Sequence, residues 1–339
     1  MKNSTIRFGV IGAGRIGKIH AENLATRIKG TEVLVLSDID EKENAKVAEQ
    51  LNIPNTTTSY DEVLQRSDID AIAVCSPTNT HFDIIMKAAD AGKHIFCEKP
   101  IDLSIDKIKQ IESKIDHTGV TFMVGFNRRF DANFAKIREL VTSGSVGEPH
   151  FLKINSRDPG PPPEEYIRSS GGLFVDMTIH DFDMARFLID SEIVEVYAQG
   201  RVLVDPVFEK VGDIDTAVVM LNYENGALAV IDNSRKAVYG YDQRVEVFGT
   251  KGLATVTNNT PDNHIFLDTQ GMHSALPLNF FMDRYVESYL TEMQAFVDCV
   301  HNQQTPPATV KDGLLSVVIA LAANTSVREH RPVRITEII

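Results

Sequence analysis

Residues Phe8 to Gly17 read F-G-V-I-G-A-G-R-I-G, an apolar run that stops at Gly12 and continues through Gly14 and Gly17 into a helical pattern. A strand that ends in this turn and restarts as a helix constrains the whole N-terminal half. Gly12 permits the tight turn, Gly14 lets backbone amides approach a pyrophosphate, and Gly17 lets the helix pack on the strand. The phosphates then lie at the positive end of a helix dipole. Arg15 and Ile16 fall inside the same turn, and an acid, Asp38, closes the second apolar run, Glu32 to Asp38. A carboxylate there accepts the adenosine ribose hydroxyls and repels a 2′-phosphate, so NAD is the expected cofactor rather than NADP. Arg15 is either a guanidinium that reaches the adenine side and softens this preference, or an arginine at the solvent-facing first turn of the helix.

The first third alternates short apolar runs with amphipathic stretches. Strands are predicted near Ile6–Ile11, Val33–Asp38, Ala71–Val74, His94–Cys97 and Thr121–Gly125, with helices near Ile16–Ile28, Glu41–Leu51, Phe82–Ala91 and Ile105–His117. That rhythm implies a doubly wound parallel sheet of Rossmann type, covered on both faces, spanning 1–125. Ligands of such sheets lie beyond the carboxyl ends of the strands, so the loops after Val74 and Cys97 are expected to face the cofactor.

Over 126–339 the rhythm changes. A helix (Ala132–Ser143), a strand (His150–Asn155), a proline-rich loop and a helix from Asp176 to Leu188 precede a series of strands at Ile193–Arg201, Thr216–Tyr223, Ala227–Asn233, Arg244–Phe248 and Leu253–Val256. Short turns between consecutive strands predict an α+β domain with an open-faced, mainly antiparallel sheet, one face over the substrate site and the other between subunits. Helices over Tyr285–His301 and Leu314–Arg328 close the chain. The run Pro159-Gly-Pro-Pro-Pro163 reads as a stiff surface connection or as a lid.

The net charge of −13 in 339 residues disfavours nucleic acid and anionic membrane as partners, and a neutral substrate suits it. With no long uninterrupted apolar segment, a cytoplasmic location is expected. The three cysteines, Cys75, Cys97 and Cys299, lack metal-site or disulfide spacing and are expected to be reduced core residues.

Hydride chemistry needs a group that handles the hydroxyl proton of the substrate. Lys99, in Cys97-Glu98-Lys99-Pro100, stands just past a predicted strand. Asp176 and His180, four residues apart, share one face if a helix carries both. Each also has a plainer reading: a charged turn, a helix-start acid, a core histidine. Asp176, His180 and Asp183 are alternatively spaced to hold a divalent metal, but no further histidine or cysteine lies near, and no metal is expected.

Taken in order, G-A-G-R-I-G, Ser76-Pro-Thr-Asn-Thr-His81, Glu98-Lys99-Pro100 and Gly171-Gly-x-x-x-Asp176-x-x-x-His180-Asp-x-Asp183 resemble the glucose-fructose oxidoreductase / inositol dehydrogenase / rhizopine-catabolism family. The stretches after Asp176 and around Tyr239-Gly-Tyr241-Asp242 are most similar to its inositol 2-dehydrogenases. The resemblance implies a homotetramer that oxidises a cyclic polyol with NAD, myo-inositol to its 2-keto form, with Lys99, Asp176 and His180 as the catalytic set and His180 as base. It also implies that Ser76, Asn79, His81, Glu98 and Lys99 lie along the cofactor. Asn127, Arg128, Arg157 and Asp158 follow predicted strand ends and are candidates for substrate hydroxyls, and Tyr239 and Tyr241 are either further contacts or sheet tyrosines. Another inositol isomer, a pyranose, or a non-catalytic NAD-binding sensor are the alternatives.

Overall fold

The computed structural model describes residues 5–339. It divides into two compact units, the first comprising residues through Phe130 together with Glu287–Leu315, the second Asp131–Val286 with Ser316–Ile339. The sequence pattern alone suggests one cut, after residue 125. A late return of the chain to the first core has no signature in local periodicity.

In the first unit β1 (Ile6–Ile11), β2 (Thr31–Ser37), β3 (Asn55–Thr57), β4 (Ala71–Val74), β5 (His94–Glu98) and β6 (Phe122–Gly125) form a parallel sheet in the order β3-β2-β1-β4-β5-β6. This is the strand order of a doubly wound dinucleotide fold, with its crevice where the order reverses between β1 and β4. Every residue of β4 and β6 is buried, as strands covered on both faces must be. The crossovers are α1 (Arg15–Glu22), α2 (Glu41–Leu51), α3 (Tyr60–Gln65), α4 (Thr78–Asp90) and α5 (Ile105–Thr118). Asp40 caps α2 by accepting from Lys42 and Glu43 amides, and Ser104 caps α5. The predicted helix Ile16–Ile28 stops at Glu22 as α-helix and ends in a π-helical turn, Asn23–Arg27. The first core is completed by a late helix, Val286–Asn302: its Phe296 meets Phe8 and Phe96 edge-on, with centroids 6.2 and 5.9 Å away.

The second unit begins with α6 (Ala132–Thr142), followed by β7 (Pro149–Arg157), α7 (Glu164–Ser169), α8 (Leu173–Asp176) and α9 (Ile179–Leu188). Then come β8 (Ile193–Arg201), α10 (Val207–Val211), β9 (Thr216–Tyr223), β10 (Leu228–Ser234), β11 (Asp242–Gly249), β12 (Gly252–Val256) and a separate hairpin of β13 (Ile265–Asp268) and β14 (Gly271–Ser274). The chain ends through α11 (Phe281–Arg284), α12 (Val286–Asn302), α13 (Val310–Glu329) and β15 (Val333–Arg334). The large sheet runs β12-β11-β7-β10-β9-β8-β15, antiparallel except where β7 lies parallel to β10.

Consecutive pairing therefore fails around β7. β7 is inserted between β10 and β11, so their link must cross it. Arg157 at the end of β7 pairs with Ser234 at the end of β10 and Asp242 at the start of β11, which gathers three chain segments at one end of the sheet's inner strands. Strand burial alternates, and the outward residues include Val194, Val218, Met220, Leu228, Phe248 and Leu253, each at least 42% exposed. The helix α13 is long and apolar enough by length and composition to cross a membrane, but 61% of its apolar window is buried in the protein, as in a core helix.

Candidate active site

The glycine turn has the form its spacing predicts. Gly12 has φ +102°, and a Cβ there would lie 2.6 Å from the Cys75 backbone; one on Gly17 would lie 1.9 Å from the Gly12 carbonyl oxygen. Both positions need glycine for the protein's own sterics. Gly14 differs: a Cβ would meet nothing within 4 Å, so the protein leaves open the side from which a pyrophosphate would approach. Arg15 is exposed and Ile16 half-buried on the first turn of α1.

Asp38 sits beside that turn. Its carboxylate accepts from the Ala13 amide at 2.6 Å and from the Asp40 amide at 2.9 Å, which fixes a negative charge at the end of β2. These residues fit a dinucleotide whose ribose carries no 2′-phosphate.

The loops after β4 and β5 are tied to each other by His81. The ring is 1% exposed, with Nδ1 2.9 Å from the Pro100 carbonyl oxygen and Nε2 2.8 Å from that of Ser76. Burial lowers its pKa against the opposing pull of the two carbonyls, and in the neutral form the ring donates to only one of them. Both ring nitrogens face backbone carbonyl oxygens. His81 spaces the loop bearing Ser76 and exposed Asn79 from the loop bearing Lys99. Glu98 also looks inward: its Oε1 lies 2.8 Å from Nε2 of buried His20, and the two group with Glu292 of α12. Gly125 leaves room for that carboxyl, since a Cβ would lie 3.1 Å from it. Lys99 is half-buried at the carboxyl end of the sheet. Asn127 and Arg128, in the 3₁₀ turn after β6, are buried; the Asn127 carbonyl accepts from Ser288 Oγ at 3.0 Å, and its amide nitrogen has no hydrogen-bond partner among the described residues. Burial pushes the Cys75 and Cys97 thiols well up, and all three cysteines are unpaired with one another.

In the second unit the predicted single helix is broken. Asp176 ends α8 and His180 lies in the first turn of α9, because the Thr178 amide reaches back to Leu173 while its hydroxyl donates to Asn233 Oδ1 at 2.8 Å. The start of α8 is shaped by Gly172 (φ +86°), where a Cβ would lie 2.9 Å from Asp213; that carboxylate accepts from the Leu173 amide at 3.1 Å. Burial raises the pKa of Asp213.

Asp176 is gripped from two sides. Arg235, 3% exposed, donates to its Oδ2 at 2.8 Å and to Asp158 at 3.2 Å, while Tyr166 donates to its Oδ1 at 2.7 Å. Burial alone would lower the arginine pKa, but the charges of Asp176 and Asp158 outweigh it, so the guanidinium stays charged. Burial and the neighbouring Asp176 push the Tyr166 phenol far up, so it remains a donor. Neither Arg235 nor Tyr166 is marked by the sequence reading. Arg235 lies in the β10–β11 link that crosses β7, and Tyr166 in a six-residue helix after the proline run.

The other candidates are engaged internally. Arg157 donates to Asp232 at 2.7 Å and to the Tyr239 hydroxyl at 2.9 Å, and Tyr239 donates on to Asp242 at 2.6 Å. Burial pushes Asp242 up, but bonds from Arg244, Tyr239 and Asn258 outweigh it and hold the carboxyl below its usual range. Tyr241 is 6% exposed and stacks edge-on with Tyr285, a core position rather than a surface contact. Asp183 is buried, and the metal-competent grouping found among the described residues is His20, Glu98 and Glu292, not Asp176, His180 and Asp183.

A dinucleotide turn with an acid beside it, in a chain whose second unit holds a buried carboxylate and, four residues on, a histidine, defines an NAD-linked oxidoreductase of two-unit type. Residues 6–126 match the oxidoreductase family with an NAD-binding Rossmann fold, and 134–255 match the GFO/IDH/MocA C-terminal domain. The chain belongs to this Gfo/Idh/MocA family. It is 50% identical to the uncharacterized oxidoreductase YrbE of Bacillus subtilis (96% of each chain) and 46% identical to the myo-inositol 2-dehydrogenase of Thermotoga maritima (98% of this chain, 100% of the relative). The crystal structure of scyllo-inositol dehydrogenase from Lactobacillus casei with bound NAD(H) and scyllo-inositol superposes with a TM-score of 0.93 at 31% identity, covering 98% of this chain and 100% of that one.

Proposed function

We propose that this protein is an NAD-dependent inositol dehydrogenase that oxidises one ring hydroxyl, converting myo-inositol to 2-keto-myo-inositol. The observation that carries this reading is Asp176, paired with buried Arg235 and bonded by Tyr166, just before His180. A fixed carboxylate is a strong acceptor for a polyol hydroxyl, and a histidine is the side chain best able to take a hydroxyl proton near neutral pH. Bound NAD supplies the hydride acceptor. His180 takes the proton of the reacting hydroxyl, Asp176 binds a hydroxyl and steadies the histidine, and the Lys99 ammonium stabilises charge that develops on the reacting oxygen. Gly12, Gly14, Gly17 and Asp38 hold the cofactor.

The names of the relatives support the substrate class. The scyllo-inositol bound to the Lactobacillus casei enzyme supports a second reading, in which the substrate is that epimer. The exposed apolar residues on the outer face of the large sheet support a homotetramer, because so broad an apolar face is a liability when uncovered. The charge of −13 suits a cytoplasmic enzyme acting on a neutral substrate. The test is NAD-linked turnover across inositol isomers and monosaccharides. Myo-inositol is expected to give the highest kcat/KM, scyllo-inositol in its place would establish the second reading, and turnover of pyranoses alone would overturn both.

A further inference from the structure

The Tyr166–Asp176 pair has a chemistry of its own. Oδ2 of Asp176 is taken by Arg235, and Oδ1 by the single proton of the Tyr166 phenol. The phenol oxygen has then given its only proton and acts as an acceptor, and a carboxylate oxygen is acceptor-only. Two acceptors therefore stand 2.7 Å apart. The phenol is at the surface, with Tyr166 49% exposed, and the carboxylate is buried behind it, with Asp176 9% exposed.

We propose that Tyr166 is a specificity-determining residue that, with Asp176, reads a vicinal diol. One substrate hydroxyl donates to the carboxylate and its ring neighbour donates to the phenol oxygen. Adjacent hydroxyls in a gauche relation on a six-membered ring have their oxygens at about this spacing, whereas adjacent diaxial hydroxyls point apart. A monohydroxyl or deoxy analogue forgoes one of these two bonds, and discrimination is sharpest where the acceptor left without its donor is the buried Asp176 carboxylate.

The placement of the tyrosine follows from the segment that carries it. α7 is entered from Pro163 and left through Gly171 and Gly172 (φ +85° and +86°), and Ile167, 3% exposed, anchors it. The proline run thus does more than connect: it delivers the phenol to Asp176. This inference rests on the reading of Asp176 as a polyol-binding group.

The test compares full-length wild type with Y166F, a substitution that keeps the ring and removes only the oxygen. Substrates are myo-inositol and monodeoxy analogues lacking the hydroxyl next to the reacting carbon, with NAD saturating. Wild type is expected to favour myo-inositol by at least ~10²-fold in kcat/KM. Y166F is expected to narrow that ratio about tenfold, roughly the worth of one hydrogen bond, through a raised KM for myo-inositol with kcat and NADH affinity little changed. Unaltered KM and discrimination in Y166F, or a fall in kcat alone, would overturn the role of Tyr166 while leaving the dehydrogenase reading intact. A wild type that oxidises no polyol would overturn the dehydrogenase reading and this inference with it.

Discussion

The glycine turn of the first unit draws its chemistry from one contiguous stretch plus a single acid at the end of the next strand. The constellation around Asp176 in the second unit is collected from four separate segments: the end of β7, the helix α7, the α8–α9 corner and the β10–β11 link. The first site is set by backbone, the second by side chains that grip one another. A change in the first should therefore alter cofactor handling alone, while changes in the second should be coupled, because Arg235, Asp158, Asp176 and Tyr166 share partners.

The largest expected effect falls where the two sites ought to separate most cleanly. His180→Ala should lower kcat by on the order of 10²–10⁴, with NADH affinity unchanged by fluorescence titration, since the turn and Asp38 lie in the other unit. Near-normal turnover would remove His180 from the role of base.

Arg235→Met probes the coupling itself. It leaves Asp158 and Asp176 partly buried without their shared cation, a loss of about 3–5 kcal/mol for a broken buried pair. Denaturant unfolding should show an early transition belonging to the second unit, while NADH binding survives in the first. A single unshifted transition would mean that the arginine is not what holds those segments together.

The same contrast explains what could be read from the chain. The phosphate turn is legible because its geometry requires glycines at fixed consecutive spacing, and the structure shows Gly12 and Gly17 sterically locked and Gly14 open. Most elements were legible too, because buried strands and amphipathic helices have a period. The insertion of β7 between β10 and β11 has none: pairing between distant strands leaves no local trace, and with it Arg235 stays hidden. Tyr166 escapes for a related reason, since a six-residue helix after prolines is too short for a periodic signal. The hairpin β13–β14 is exposed on both faces, so it lacks the alternation that marks a strand. His81 shows the converse: a motif residue whose ring, once placed, braces two loops.

In the first unit, Asp38→Ser should shift cofactor choice. Wild type is expected to favour NAD over NADP by at least tenfold in kcat/KM, roughly 1.4 kcal/mol, and the variant to narrow that gap by accepting the 2′-phosphate. Because Asp38 also accepts from the Ala13 amide, NAD affinity should fall somewhat as well. Equal use of both cofactors by wild type would mean that Arg15 governs the choice.

The smallest effect tests whether the second unit carries a removable electrostatic penalty. Burial raises the pKa of Asp213 above its value in the unfolded chain, so at neutral pH the folded state bears the cost of a charge that it disfavours. The sign follows from linkage: between the unfolded and folded pKa values the folded state binds more protons, so this group favours folding progressively as pH falls through the folded value. Asp213→Asn removes the charge but keeps an oxygen that can accept from the Leu173 amide at the start of α8. The variant should melt slightly higher than wild type at pH 7, and the difference should vanish below about pH 4, where the unfolded carboxyl is also protonated. A variant less stable at pH 7 would show that the carboxylate gains more from capping α8 and from the nearby Arg235 charge than it loses by burial.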